Sequence, residues 1–440
     1  MLRRVIVLFG LAAGLLLASA SPAFALQPYP LNFNNVDFAS GTTHGLALDL
    51  NGTTLKLANS GLDSFTYADP FSSVAVLGHS VDGSGDYVSG TWTSPIYPLS
   101  FPFNELVSSW NSKTPPGTWI QSEVRPKIDS GHWAKWYILG RWAYNDFVDG
   151  NSDPGFHRTS VGGQGDADGF VSIDTLFTKD HPAVAYQLRL TIFRRAGLTD
   201  AVARVRVSRY SAVASNLTNQ QNTFPSQTDM NGQTKDLQVT PFSQETHHGE
   251  YPEFDNGGEA WCSPTSTAMV VNYWTRVKGI QYAPTAAETS WVDPAFADPE
   301  VDYTARYVYD YHYQGAGNWP FNTAYAAERG LVSDVTQLHN LREAEPFIQA
   351  GIPLVASVAW HSNKLDGGIK STNGHLMVIG GFMGNGDVIA YDPASIDNAH
   401  VRHVYNREQF EKAWIPASGG IVYVDRPVGW ATPLLTANNN

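Results

Sequence analysis

One cysteine in 440 residues leaves nothing to pair with, so no internal disulfide staples this chain. Positive charge is scarce too. Only 28 Lys and Arg stand against 41 Asp and Glu, a formal net charge of −13. That balance argues against a nucleic-acid backbone or an anionic membrane as partner. Charged residues of both signs make up 16% of the chain, while Gly and aromatics are plentiful. Such a mixture suits β-rich extracellular architecture better than helical bundles or disorder. Beyond the first residues, no run approaches the roughly 20 apolar residues a membrane span needs.

What is present begins with an export plan. Arg3 and Arg4 precede the apolar stretch 5–18, and Ala23-Phe24-Ala25 offers a small-x-small cleavage site. The expectation is a signal peptide over 1–25, a mature chain starting near Leu26 and a secreted protein. The competing reading is an uncleaved N-terminal anchor. An exported chain of this size without disulfides is held by its cores alone, so Cys262 was not kept as a staple.

Residues 26–213 read as an all-β sandwich domain.

 Short alternating runs are separated by turn formers, as in His44 to Leu50, then Asn51-Gly52, then Thr53 to Leu57. Further strands are expected over 117–124, 132–139, 169–177, 185–193 and 202–210, with Asp82-Gly83, Asp149-Gly150 and Asp168-Gly169 as turns. Many short strands without intervening helices imply a sandwich of the jelly-roll type. The stretch 214–236 is rich in Asn and Gln and poor in large apolar residues, so it reads as a polar linker. Residues 237–428 change character and read as α+β. Helices are expected over 264–277, 322–329 and 346–350, the last two stopped by Gly330 and Gly351. Strands are expected over 354–358, 376–382, 388–391 and 420–424, and residues 429–440 read as a tail.

Cys262 stands where the loop Asn256-Gly257-Gly258 becomes a helix at Ser263-Pro264. Proline is preorganised for a first helical turn, which leaves the thiol at the positive end of the helix. A catalytic cysteine must be a thiolate near neutral pH, although a free thiol titrates at about 8.5. A helix N-terminus and a neighbouring imidazolium both favour the thiolate. The bland alternative is a small apolar residue filling a gap beside Trp261.

The base must be a histidine. His247 and His248 lie in the loop before the thiol, His312 in a Tyr-rich stretch and His361 after a strand. His375 differs, because Asn373-Gly374 delivers it onto the apolar strand 376–382, and a strand aims a side chain rigidly. On the strand pattern alone it would read as a satisfied core histidine. Asp392, in Tyr391-Asp392-Pro393, ends the next strand and is the candidate to orient the imidazole. A strict two-residue hairpin at Asn385-Gly386 would leave it offset from His375 by roughly 13 Å. A longer loop, or a bulge at Gly380-Gly381, would close that distance. Asp387 and Asp366 are weaker candidates, and Asp392 could simply cap its own turn. Gln244, a short loop upstream of the thiol, offers a neutral amide N–H, yet by local pattern it is an ordinary loop residue.

Taken in order, Gln244, Trp261-Cys262-Ser263-Pro264-Thr265-Ser266, Gly374-His375-Leu376-Met377-Val378-Ile379-Gly380-Gly381 and Tyr391-Asp392-Pro393 resemble a known pattern. It is that of the papain-like cysteine peptidases of the bacteriocin-processing, double-glycine-leader class and their exported relatives. The resemblance covers about 236–424. It implies a papain-like fold with Cys262 as nucleophile, His375 as base and then acid, Asp392 as orienter and Gln244 as oxyanion donor. No cofactor or metal is implied. The transporters of that class carry membrane and ATPase segments that this sequence lacks, so double-glycine leader specificity is not carried over.

The implied function is a secreted cysteine peptidase acting on a peptide or protein. Two other readings stay open: a thiol amidase or transamidase on non-protein amides, and an inactive carbohydrate- or surface-binding protein. The last draws on Trp92, Trp110, Trp119, Trp133, Trp136 and Trp142, which could stack on the sugars of a cell wall if exposed and would be core residues otherwise. Asp82, Asp86, Asp149, Asp153, Asp166 and Asp168 offer hard oxygens for Ca²⁺, although Asp-Gly turns account for many of them.

Overall fold

Apolar residues alternate with polar ones along the short N-terminal strands, and each strand therefore has one face to bury. In the computed structural model those faces meet as two antiparallel sheets. The structure describes residues 29–129, 131–147, 154–218, 223–362 and 364–433. The expected signal peptide, the Asp149-Gly150 turn, Asp153 and residues 434–440 lie outside them.

One seven-stranded sheet runs Gly169–Ser172, Thr175–Thr178, Glu105–Lys113, Arg206–Ser215, Leu55–Leu57 and Leu46–Leu48, with Leu31–Asn35 also paired to Arg206–Ser215. The other, also seven-stranded, runs Tyr137–Trp142, Thr118–Ile128, Ala183–Arg195, Gly85–Thr93 and Thr42–His44, with Asp63–Tyr67 and Tyr97–Phe103 alongside. Trp92 of the second sheet meets Tyr210 of the first edge-on, with ring centroids 6.2 Å apart. Between the sheets, the buried Ser122 hydroxyl bonds Ser108 Oγ at 2.8 Å and the Tyr210 hydroxyl at 2.7 Å. These polar groups are affordable in a core because each has a partner.

The hairpin around Asn51-Gly52 forms as expected, with Leu46 opposite Leu57. The run 169–177 does not form one strand. It folds back on itself as a hairpin with Ser172 opposite Thr175, and Ile173 takes a left-handed φ of 57° at the turn. A β-branched residue is an unlikely choice for that conformation, so the sequence gives no sign of this turn.

The C-terminal region packs five helices on a third seven-stranded antiparallel sheet. The helices are α1 (Cys262–Lys278), α2 (Pro299–Val308), α3 (Trp319–Glu328), α4 (Leu341–Gln349) and α5 (Arg407–Ser418). The sheet order is Leu331–Gln337, Ile421–Pro427, Leu354–Trp360, Thr372–Phe382, Val388–Tyr391 and Arg402–Tyr405, with the short Lys235–Asp236 on Thr372–Phe382. The sequence reading did not supply α2, in which Val301 through Val308 are all buried, Asp302 and Arg306 among them. No helix among the described residues is long and apolar enough to cross a membrane.

The two regions are clamped together. Trp110 and Trp142 of the sandwich pack against Phe321 of α3, at 6.2 and 5.3 Å between ring centroids. Arg306 of α2 makes a bidentate pair with the buried Asp146 at 2.9 and 2.7 Å. The stretch between the regions is also tied down: Ser226 bonds Glu411 of α5, and Thr228 and Asp229 bond Glu345 of α4. Its polarity matches fixed partners rather than a free tether.

Candidate active site

Cys262 is the first residue of α1, and Trp261 before it makes no side-chain cap. The first backbone N–H groups of this 17-residue helix therefore have no side-chain cap acceptor from its N-cap residue. The thiol sits at the positive end of the helix dipole, partly exposed. The loop that leads there has three consecutive left-handed residues, Asp255, Asn256 and Gly257, with φ of 68°, 62° and 86°. Gly258 follows, and a Cβ on it would come within 2.2 Å of the Gln244 carbonyl oxygen. Glycine at 258 is what lets this loop lie against the 3₁₀ turn Gln244–His247.

Gln244 is held from both sides. Its backbone N–H donates to the Pro393 carbonyl at 2.8 Å, and its Nε2 donates to the Glu259 carbonyl at 2.7 Å. An amide nitrogen carries two hydrogens, so one remains beside the cleft. Gln244 is buried and lines the same cleft as Cys262.

His375 lies on Thr372–Phe382, opposite Val358, with the Trp360 ring edge-on to it at 6.0 Å. Its Nε2 bonds Asp392 Oδ1 at 2.7 Å. Cys262 lines the same cleft as His375 and acts on the imidazole electrostatically. Asp392 reaches His375 because the strand pairing slips between Ile379 and Gly381. The hairpin loop already moves the register by one residue, with Phe382 opposite Val388, and this bulge adds a second, so Tyr391 stands opposite Val378 and Asp392 is no longer opposite Ile379. The separation along the strand falls from four residues to two, about 7 Å, which the two side chains span. A Cβ on Gly380 would meet the Tyr391 ring at 2.5 Å, so the bulge needs glycine there.

Both oxygens of Asp392 are satisfied. Oδ1 also accepts from the Ala394 N–H at 3.0 Å, and Oδ2 accepts from the Tyr405 hydroxyl at 2.7 Å. Burial alone would raise its pKa, but the His375 charge and these hydrogen bonds lower it to about 2. Burial likewise disfavours a charged His375. The Asp392 carboxylate outweighs that, with help from Cys262, and raises the imidazole pKa to about 10.

The other candidates stand elsewhere. His247 is buried against Glu250, His248 pairs at the surface with Glu259, and His361 is exposed. His312 packs where a Cβ on Gly162 would touch its ring. Asp387 bonds the Arg407 backbone, and Asp366 bonds Gln409.

The cleft at Cys262 encloses about 550 Å³ and has a wall that sequence reading did not supply. Ser172, Ile173, Asp174 and Phe177 of the N-terminal hairpin line it together with Tyr313 and Trp319. Asp174 accepts from the Trp319 N–H at 2.8 Å, and burial raises its pKa to about 7. Glu245, Asp255 and Glu259 add three more carboxylates, and no Lys or Arg is among the described residues that line the cleft. Burial also raises the pKa of Glu245 and of Asp255. Tyr405, which steadies Asp392 from the far side, carried no signal in the sequence.

In the sandwich, Trp92, Trp110, Trp119 and Trp142 are fully buried. Trp133 and Trp136 are half-buried and share the Arg125 guanidinium, 4.9 and 4.8 Å from their ring centroids, while Arg189 sits 4.3 Å from Trp136. Asp82 and Asp166 accept backbone N–H groups of their own turns, Asp168 pairs with His132, and Asp86 accepts from Thr66.

Comparison with known proteins agrees with this division. Among solved structures, one similar chain is that of TmCBM61 in complex with β-1,4-galactotriose, at 8% identity, covering 42% of this chain and 84% of that one. Its TM-score is 0.13, too low to support an argument about fold or ligand. No curated protein matches the chain significantly. Residues 32–215 match the family model for the Peptidase C39 N-terminal domain, and residues 236–422 match that of the Peptidase_C39 like family. The C-terminal region is thus similar to the Peptidase_C39 like family, and the sandwich before it to a Peptidase C39 N-terminal domain.

Proposed function

We propose that this chain is a secreted, papain-like cysteine peptidase whose jelly-roll-like N-terminal sandwich helps to form the substrate cleft. One observation carries the reading: a thiol at a helix N-terminus shares a cleft with an imidazole that a buried, fully bonded carboxylate holds by one nitrogen. A helix bearing the nucleophile, packed on an antiparallel sheet bearing base and orienter, supports the papain-like assignment.

In the mechanism, the Cys262 thiolate attacks a peptide carbonyl carbon and a tetrahedral oxyanion forms. The Gln244 amide and the backbone N–H groups at the start of α1 donate to that oxyanion. The His375 imidazolium gives its proton to the leaving amine as the C–N bond breaks, leaving a thioester on Cys262. Neutral His375 then takes a proton from water, the hydroxide attacks the thioester, and the acid product departs as the thiolate is restored. Asp392 fixes the ring tautomer throughout. The carboxylates of the cleft favour a peptide segment with basic side chains.

The test is the rate of Cys262 alkylation by iodoacetamide across pH, followed by hydrolysis of a peptide library. Reactivity well below the ordinary thiol range of about pH 8.5, lost in His375→Ala, together with cleavage, is expected. An ordinary thiol indifferent to His375 would sink the peptidase reading. Turnover that depends on an added amine would instead point to a transamidase.

A further inference from the structure

A second histidine of the same region is set in a different arrangement. His247 ends the 3₁₀ turn that Gln244 begins, Glu250 follows it one turn later past Gly249, and Asp302 comes from α2. All three are buried, His247 and Asp302 completely. His247 Nδ1 lies 2.7 Å from Glu250 Oε2 and 3.4 Å from Asp302 Oδ2. One donor atom from each of the three lies within 4.8 Å of the others.

The hydrogen bonds do not complete this cluster. Neither carboxylate oxygen of Asp302 has a hydrogen-bond partner. A single Nδ1–H serves Glu250 at the shorter distance and cannot also satisfy Asp302. Charge is unbalanced as well: two carboxylates against one imidazole leave a net negative site even with the ring protonated. The nearby Arg306 is already committed to Asp146. A buried carboxylate without a counter-charge or a hydrogen bond is costly, and natural proteins pair such groups or give them a metal.

We infer that His247, Glu250 and Asp302 form a site for one divalent transition-metal cation, with Zn²⁺ the best fit. One imidazole and two carboxylates make a neutral site with a dication and a neutral ring. Imidazole in the set favours Zn²⁺ over Ca²⁺ and Mg²⁺, which prefer all-oxygen ligands. Donors about 2.1 Å from one Zn²⁺ stand about 3.0 Å apart at a right angle and about 3.4 Å apart at the tetrahedral angle. The observed separations of 2.7 and 3.4 Å are close to those values. The cation would tie the turn that carries Gln244 to α2, so its role is to hold that turn in place and not to take part in the reaction.

The test uses the full mature chain without a metal-binding tag, and it does not depend on the peptidase reading. Metal content is measured by mass spectrometry after dialysis, and the melting temperature is followed during EDTA treatment and Zn²⁺ titration. The Cys262→Ser form is measured in parallel, because a thiol beside an imidazole can also take Zn²⁺. The expected result is about one Zn²⁺ per chain in both forms, lost in His247→Gln and Asp302→Asn, with a melting temperature that falls on chelation and recovers with Zn²⁺. Metal absent from the wild-type chain with a melting temperature indifferent to Zn²⁺ would overturn the inference. So would metal that disappears with Cys262→Ser or persists in both site variants. If the site variants fail to fold, stoichiometry and thermal response of the wild-type and Cys262→Ser chains decide it.

Discussion

Each region of the molecule buries a histidine against an aspartate, and the two pairs have the same 2.7 Å contact. In the sandwich, His157 Nδ1 meets Asp69 Oδ2, and His157 Nε2 meets the Val74 carbonyl at 3.1 Å. Asp69 also accepts from the Gly83 and Phe71 N–H groups at 2.9 Å each. Every polar position of that pair is used inside the fold, so it has nothing left with which to act. In the C-terminal region, Asp392 is equally satisfied, but it holds only one nitrogen of His375, which lines a cleft together with a thiol. A buried His–Asp contact is therefore not itself a sign of catalysis. The sign is a pair complete on the carboxylate side and open on the other.

The largest effect should come from closing off the carboxylate. Asp392→Asn keeps the shape but reverses the hydrogen-bonding sense toward the ring, and kcat for peptide hydrolysis should fall by roughly 10²–10⁴-fold. The pH profile should move with it. His375 is raised above its ordinary value, so the imidazolium contributes stability fully below about 6.5, and that contribution is lost as pH rises through about 10. Activity should decline on that alkaline limb in the wild-type chain, and at a lower pH in Asp392→Asn. Asp392 runs the other way: its contribution is present above about 4 and is lost as pH falls toward about 2. An unchanged alkaline limb in the variant would break the proposed coupling.

Gln244→Ala should cost about 10²–10³-fold in kcat with little change in KM, because the amide would act only on the oxyanion. Iodoacetamide alkylation, which forms no oxyanion, should be nearly unaffected. A parallel loss of alkylation would mean that Gln244 instead shapes the thiol's surroundings.

His157→Gln supplies the counterpart in the other region. It leaves Asp69 buried with fewer partners, and stability should fall by about 3 kcal/mol. The alkylation profile of Cys262 should not move at temperatures where the variant is folded. Denaturant unfolding and alkylation, measured on one preparation, separate the two pairs.

Residue types and their order made much of the C-terminal site legible. Pro264 marks the start of α1, and Asn373-Gly374 marks entry into the His375 strand. Asn385-Gly386 implied a hairpin with the wrong register, which a longer loop and a bulge at the glycines 380 and 381 together correct. Features built from tertiary contact were not legible. Nothing local distinguishes Tyr405, whose hydroxyl crosses from a neighbouring strand, or Ile173, whose left-handed turn places an N-terminal hairpin in the cleft. The tryptophans were ambiguous for the same reason. Burial of Trp110 and Trp142 depends on Phe321, some two hundred residues downstream.

The smallest expected effect concerns the wall that the two regions share. Asp174 and Asp255 already accept backbone N–H groups, from Trp319 and Ala316, so replacing them would disturb structure along with charge. Glu259 is the cleaner probe. Its side chain is 67% exposed and pairs with the equally accessible His248, while the backbone carbonyl that holds Gln244 is untouched by substitution. An exposed charge is screened and contributes little, so Glu259→Gln should reduce the preference for basic over neutral peptides by only about two- to fivefold in kcat/KM. The wild-type preference should itself shrink as salt is raised from low to physiological ionic strength. A preference that survives both changes intact would have to come from the less accessible carboxylates of the cleft, Asp174, Glu245 and Asp255, and would remove Glu259 from the account of selectivity.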